Sequence, residues 1–197
     1  MPLSLKLSLL SLLCLVPAAL LGHAFLTDGL GANPLETLEH NSGNWALIFL
    51  LLTLAISPLQ YALAMRWPIP SHLVRRILGL SAFFYALLHL SFYFVFEMGM
   101  NLEETFEDIA TRPFILIGML ALLLLLPLAI TSTQKWQRRL KQHWKSLHQL
   151  IYPITFLAIL HYGLLVKADY FWPAIYFLLF VLLMLPRWIK RAKTALR

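Results

Sequence analysis

The sequence predicts an all-α polytopic membrane protein, a bundle of six transmembrane helices that form one integral membrane domain over residues 1–197. Hydrophobic residues make up 60% of the 197-residue chain and charged residues only 13%, which leaves too little polar surface for a soluble domain of this length. Six apolar segments are each long enough to cross about 30 Å of hydrocarbon as a helix. They lie at about residues 7–26, 45–65, 74–96, 113–130, 147–166 and 170–186.

The charged residues predict how these segments are oriented. Of the 16 lysine and arginine residues, all but Arg112 and Lys167 lie near the N-terminus, at two alternate connections or in the C-terminal tail. All 9 acidic residues lie in the remaining connections. Because basic residues are retained on the cytoplasmic side of a membrane, we expect both termini in the cytoplasm and the acidic connections outside.

Composition also excludes several classes of function. The net charge of +7 does not indicate nucleic-acid binding, because the basic residues sit in short loops between apolar segments. The single cysteine, Cys14, excludes an intrachain disulfide and a cysteine-bound iron–sulfur cluster. The connections, about 18 residues at most, contain no nucleotide-binding or zinc motif. The first segment keeps a rival interpretation as a signal peptide, because Gly22-His23-Ala24 fits the small-x-small cleavage pattern.

Two histidines inside the apolar segments carry the functional prediction. His89 lies about 22 Å past the cytoplasmic start of the third segment, and His161 lies at nearly the same depth in the fifth, which runs in the same direction. An imidazole in hydrocarbon needs a partner, and a heme iron between two helices takes one imidazole from each side. The alternative is that Ser, Tyr or backbone groups of neighbouring helices satisfy both rings. We favour heme, because the two rings share one depth.

His148 is a further candidate heme ligand at the inner end of the fifth segment. It precedes His161 by thirteen residues, about 20 Å along a helix, but on an ideal helix the two rings would not share a face. Pro153 lies between them and can kink the helix. The matching positions of the third segment are Arg75 and Arg76, which cannot ligate iron, so a second heme is the weaker prediction.

Arg75 and Arg76 themselves allow two interpretations. Such residues commonly anchor a helix at the interface by reaching the lipid headgroups. They could equally neutralise heme propionates, bind the phosphate of a flavin nucleotide or contact a quinone. The run Thr131-Ser132-Thr133 has the same ambiguity, because its hydroxyls can cap a helix or hold a phosphate.

Several uncommon stretches, distributed in order along nearly the whole chain, resemble the MsrQ (YedZ) family. They are GANP at 31–34, RRILGL at 75–80, YALLHL at 85–90, RPF at 112–114, LLLPLAITS at 124–132, WKSLHQLIY at 144–152 and LH at 160–161. The resemblance implies a ferric reductase-like transmembrane core with heme b, and the family's histidine ligands fall on His89, His148 and His161.

The resemblance also implies a role in a bacterial inner membrane. A protein of this family is a non-catalytic electron-transfer subunit that takes electrons from the quinone pool. It passes them to MsrP, a periplasmic molybdopterin enzyme that reduces methionine sulfoxide in oxidised proteins. The family is further described as binding FMN and as accepting electrons from a cytosolic flavin reductase. The acidic outer residues Glu103, Glu104, Glu107 and Asp108 offer a surface for a partner with a basic patch.

Two other classes of function remain as alternatives. A ferric or cupric reductase-like cytochrome b would share the heme but pass electrons to an external metal ion. A non-redox transporter or assembly factor would leave the histidines as satisfied polar residues. Transport is disfavoured, because no predicted segment carries an acidic residue at mid-depth and no inverted repeat is evident.

Overall fold

The computed structural model describes residues 2–63 and 69–195, with the backbone alone for 61–63 and 190–195, and it confirms the all-helical fold. Six helical segments of this part are long and apolar enough to cross a membrane. Residues 64 and 65, at the end of the predicted second segment, and the basic residues Arg66 and Arg197 lie outside the described residues. The helices are α1 (Leu3–Leu26), α2 (Pro34–Leu63), α3 (Ser71–Phe92), α4 (Leu102–Thr111), α5 (Pro113–Ile130), α6 (Gln134–Leu140), α7 (Gln142–His148), α8 (Ile151–Leu165) and α9 (Phe171–Ala195), and α3 continues through a π-helical turn at Tyr93–Glu97.

The predicted connections contain helical structure of their own. Helix α2 begins at Pro34, within the expected connection 27–44, because proline suits the first turn of a helix and Asn33 Oδ1 accepts the N–H of Glu36 at 3.4 Å. Helix α4 occupies most of the second acidic connection and begins at an Asn101 cap. On the other side, Thr133 caps α6 by accepting the N–H of Trp136, so this threonine has the capping role.

The fifth candidate span, Gln142–Leu165, contains a break in its helix. Helix α7 ends at His148, and α8 starts at Ile151 after the intervening Gln149 and Leu150. Pro153 follows in the first turn of α8, where its missing N–H costs nothing. The rotation expected for thirteen residues of one ideal helix therefore does not apply between His148 and His161.

Helix α2 lies at the centre of the bundle. In the most apolar stretch of α2, 44% of residues are buried inside the protein. The corresponding share is 11% for α1 and 17–22% for the other spanning helices. It packs along α3, while α5 packs along α8, and these two helix pairs meet where α3 contacts α5 and α2 contacts α8. Helices α1 and α9 flank this core. The many leucine and phenylalanine side chains exposed on the outer faces fit a surface that faces lipid.

A tyrosine hydroxyl joins α1 to the core. Tyr85 of α3 is fully buried, and its hydroxyl accepts the N–H of Ala18 at 2.8 Å and donates to the carbonyl of Cys14 at 3.0 Å. These two backbone groups would bond to each other in a regular α-helix, so the hydroxyl is inserted into the helical ladder next to Pro17. Insertion of this kind bends a helix while keeping its backbone groups satisfied.

An arginine side chain bonds to a free backbone carbonyl of α2. Pro58 lies inside α2 and has no N–H to offer the carbonyl of Leu54, four residues earlier. The guanidinium of Arg187 in α9 donates to that carbonyl at 2.7 Å, and it also bonds to the carbonyl of Leu183. Its carbon atom Cζ lies 5.6 Å from the ring centre of Tyr152. The charged group thus ties α9 to α2 and α8.

We expect Tyr85→Phe to lower stability by about 1–3 kcal/mol, because it removes the hydroxyl that bonds to the carbonyl of Cys14 and to the N–H of Ala18. The measurement is thermal unfolding of the purified protein in detergent. Tyr170→Phe is the matched control, since the Tyr170 side chain is 57% exposed and its variant should melt as the wild type does. Equal melting of the Tyr85→Phe variant and the wild type would contradict the bridging role of the hydroxyl.

Candidate functional site

The structure brings His89 of α3 and His161 of α8 together. Their ring centres are 6.1 Å apart and the ring planes meet at 76°. Helices α3 and α8 are not among the closely packed helix pairs of the described part of the chain, so the two side chains reach towards each other across a gap between the helices. Both rings are only partly covered by protein.

A backbone carbonyl holds each of these imidazoles. The Nδ1 atom of His89 lies 2.9 Å from the carbonyl oxygen of Glu39 in α2, and Nδ1 of His161 lies 2.6 Å from the carbonyl oxygen of Phe114 in α5. A carbonyl can only accept, so Nδ1 carries the proton in both rings. In a neutral imidazole the other nitrogen is then unprotonated, which leaves each Nε2 with a lone pair for a metal ion.

Ser42 adds a second contact on the His89 side. It is completely buried, and its hydroxyl donates to the carbonyl of Leu38 at 2.7 Å. The hydroxyl oxygen is therefore free to accept, and it lies 3.5 Å from Nδ1 of His89. Sequence reasoning did not find Ser42, Glu39 or Phe114 as site residues. A backbone carbonyl has no signature in sequence, and a lone serine in a helix has little.

The chemistry of this pair suits a metal that needs two nitrogen ligands from the protein. The ring centres are 6.1 Å apart, and each ring has an Nε2 lone pair that could bind the same metal ion. Among the described residues no group of three or more His, Cys, Asp and Glu side chains could hold a metal ion, so the pair has too few protein ligands for a zinc-type site. Two neutral imidazoles are sufficient where a porphyrin supplies the other four nitrogens, and these residues therefore fit a heme.

His148 lies in different surroundings. Its ring stacks on Trp144 with centres 4.0 Å apart, and its Nε2 lies 3.0 Å from the hydroxyl of Thr131. That hydroxyl is only 2.6 Å from the carbonyl of Pro127, to which it must donate its proton, so His148 Nε2 is the donor to Thr131. The structure does not bring His148 to a second histidine in the described residues, and its Nε2 is engaged.

The two arginines of α3 also have distinct positions. Arg75 donates to the hydroxyl of Ser57 in α2 at 2.9 Å and lies within 3.4 Å of the carbonyl oxygen of Ser71. It therefore links α2 to the start of α3. Arg76, one position further, is half-buried.

A polar network at the opposite end holds α4 against the bundle. Asp108 accepts from the Tyr93 hydroxyl at 2.7 Å and pairs with Arg112 at 2.7 Å, and Arg112 lies 4.0 Å from Glu97. The carboxylate of Asp108 is thus paired within the protein. The other acidic residues of α4, Glu103, Glu104 and Glu107, are exposed, and the side chain of Asn101 accepts the backbone N–H groups of Glu103 and Glu104.

We expect the three histidines to differ in tautomer before any metal binds. His89 and His161 should be protonated on Nδ1, and His148 on Nε2, because of the acceptors that each ring faces. Nitrogen-15 NMR of histidine-labelled, heme-free protein reads the tautomer, with His→Gln variants to assign the signals. Protonation of His89 or His161 on Nε2 would contradict the hydrogen bonds to Glu39 and Phe114.

The sequence is similar to a known transmembrane family and to several named proteins. The family model described as the ferric reductase like transmembrane component matches residues 42–159. A protein from Xanthomonas euvesicatoria pv. vesicatoria (strain 85-10), named protein-methionine-sulfoxide reductase heme-binding subunit MsrQ, is 49% identical over 172 residues, which cover 82% of this chain and 76% of that protein. A protein of the same name from Herminiimonas arsenicoxydans is 42% identical over 193 residues, which cover 94% of this chain and 87% of that protein.

The family model spans α3 with His89 and ends two residues before His161 in α8, and a transmembrane family agrees with the all-helical fold and its six candidate spans. The chain therefore belongs to the ferric reductase-like transmembrane family and, among its members, to the MsrQ proteins.

Proposed function

We propose that this protein is a membrane electron-transfer subunit that holds heme b between His89 and His161. The observation that carries the proposal is the pair of facing imidazoles, each with Nδ1–H donated to a helix carbonyl and Nε2 left unprotonated. Its relatives are named heme-binding subunits of a protein-methionine-sulfoxide reductase. When bound, heme supplies a one-electron couple between ferric and ferrous iron.

The residues of the chain have defined tasks in this proposal. The carbonyls of Glu39 and Phe114 fix the orientation of the ligand rings and make each imidazole a stronger donor. The apolar helices exclude water from the site. The chain has one cysteine and no further thiol, so a thiol pair for methionine sulfoxide reduction is absent and the reductase chemistry belongs to a partner.

The proposed donor is the quinone pool, and the proposed acceptor is an MsrP-like periplasmic molybdopterin reductase, for the repair of oxidised periplasmic proteins. Both follow from the resemblance to MsrQ, as do binding of FMN and a cytosolic flavin reductase as an additional donor. The charge distribution supports a bacterial inner-membrane location with both termini in the cytoplasm. In that orientation the histidine pair lies in the outer half of the membrane, close to a periplasmic acceptor.

For His148 and the two arginines we propose more modest roles. The bond from His148 Nε2 to the Thr131 hydroxyl supports a single heme on His89 and His161, and His148 as a further ligand stays a prediction of the resemblance. Arg75 has structural partners, and contacts of Arg75 or Arg76 with propionates, quinone or a flavin phosphate remain predictions.

The exposed acidic residues of α4 are the proposed docking surface for the acceptor. Glu103, Glu104 and Glu107 are free to face a basic patch on the partner, whereas Asp108 is held by Tyr93 and Arg112. Association through exposed charges is transient and is weakened by salt.

We expect His89→Ala and His161→Ala each to abolish or severely perturb a low-spin b-type spectrum, and His148→Ala to leave it in place with one heme per chain. The measurement is a reduced-minus-oxidised visible spectrum with heme stoichiometry, made on protein produced with ample heme. His143→Ala is a matched control, because this histidine is exposed on α7. Normal heme content in both the His89→Ala and His161→Ala proteins would overturn the proposed site, and two hemes per chain would restore His148 as a ligand.

We expect the triple variant Glu103→Lys, Glu104→Lys, Glu107→Lys to slow electron transfer to the acceptor by about tenfold or more at low ionic strength, because it removes electrostatic steering. The triple Glu→Gln variant should be intermediate, and the differences should vanish at high salt. The readout is reoxidation of the quinol-reduced protein by the purified acceptor, with an unchanged heme spectrum as the control for folding. Equal rates for all three proteins at low salt would exclude this surface, and rapid reoxidation by ferric or cupric ions alone would favour the metal-reductase alternative.

A further inference from the structure

The two histidine–carbonyl bonds share a detail of the helices that accept them. Each accepting carbonyl lies four residues before a glycine, Glu39 before Gly43 in α2 and Phe114 before Gly118 in α5. In an α-helix the residue four positions on lies directly above the carbonyl, on the same face. The imidazole that reaches the carbonyl therefore passes over the glycine.

Both rings approach so closely that an added Cβ atom would crowd them. A Cβ at Gly43 would lie 3.2 Å from Nδ1 and 3.3 Å from Cε1 of His89. A Cβ at Gly118 would lie 2.8 Å from Nδ1 and 2.9 Å from Cε1 of His161, closer than carbon and nitrogen atoms approach without a bond. At Gly79 in α3, by contrast, an added Cβ would meet nothing within 4 Å.

The contact in each case is with the hydrogen-bonding edge of the ring. A methyl group at either glycine would therefore push the imidazole away from the carbonyl or tilt its plane. A shift of a few tenths of an ångström lengthens the Nδ1–H bond, and the same rigid ring carries that displacement to Nε2. The helix backbone cannot easily yield instead, because α2 is packed along α3 and α5 along α8.

We propose that Gly43 and Gly118 are positioning residues for the two heme ligands. Each provides a notch in one helix through which the histidine of the neighbouring helix reaches a main-chain carbonyl. The α2–α3 and α5–α8 pairs thereby build the two halves of the site by the same device. This inference rests on the proposed heme ligation by His89 and His161, and it adds what sets the orientation and donor strength of both rings.

The test compares Gly43→Ala, Gly118→Ala and the control Gly79→Ala in the complete heme-loaded protein. We expect heme affinity to fall by about 10-fold or more in Gly118→Ala, the magnitude typical of disturbing a group that orients a metal ligand, and by less in Gly43→Ala. The reduction potential should rise in the same order, because an imidazole with a weaker Nδ1–H bond is a poorer donor to ferric iron. The electron paramagnetic resonance signal of the ferric low-spin heme should change in both variants.

The control isolates the effect of position from the effect of the substitution. Gly79→Ala makes the same change inside a helix, where alanine is favoured over glycine by about 1 kcal/mol, and it should match the wild type in potential and spectrum. If Gly118→Ala does not accumulate as folded protein, the milder Gly43→Ala decides the question alone.

The outcomes separate this inference from the proposed function. Absence of heme from the wild-type protein would remove the proposed function itself. Heme in the wild type, together with potentials and resonance signals in Gly43→Ala and Gly118→Ala that equal those of Gly79→Ala, would overturn only the role of the glycines. A raised potential and altered signal confined to the two glycine variants would establish it.

Discussion

The need to pair every polar group inside an apolar bundle shapes this structure. Hydrocarbon offers no hydrogen-bond partner, so an unpaired N–H or carbonyl in a spanning helix is expensive. A proline inside a helix leaves one backbone carbonyl without its usual N–H partner. In α2, Arg187 donates to the carbonyl that Pro58 leaves unpaired. The hydroxyl of Tyr85 bonds to a backbone N–H and a backbone carbonyl of α1 next to Pro17. The same applies to His89 and His161, whose Nδ1–H groups donate to helix carbonyls. This hydrogen bond determines that Nε2 is the unprotonated ring nitrogen that is available to a metal ion.

This rule connects stability with the proposed chemistry. The bond that satisfies a buried imidazole is also the bond that selects its tautomer and orients its plane. Helix pairs α2–α3 and α5–α8 each supply one histidine and one accepting carbonyl. The distance between the two helices of a pair therefore sets the orientation of the imidazole ring, and the distance between the two pairs sets the separation of the rings. Changes that loosen either helix pair should therefore affect ligand geometry before they affect the fold as a whole.

The two ends of the bundle use their polar residues differently. At the acidic end, Tyr93, Asp108 and Arg112 hold α4 in place, while its other carboxylates remain exposed. At the basic end, Trp144 donates to the carbonyl of Thr131 at 2.9 Å and stacks on His148, which stabilises the turn from α5 into α7. Within one charged cluster of the sequence, some residues therefore form hydrogen bonds and ion pairs inside the protein, and others are exposed and available to partners.

The sequence by itself determined the membrane class, the six apolar segments and the pair His89 and His161, because hydropathy, segment length and the depth of a histidine are properties of the local chain. It did not show that α2 begins as early as Pro34 or that α4 and α6 form within the polar connections, because a helix cap acts outside the apolar pattern. It also left open how the helix is kinked near Pro153. The roles of Glu39, Phe114, Gly43 and Gly118 were decided only by the tertiary structure. Every residue has a carbonyl, and a glycine in a helix has no distinctive pattern, so only the packing of one helix on another selects which carbonyl is reached and which Cβ has to be missing.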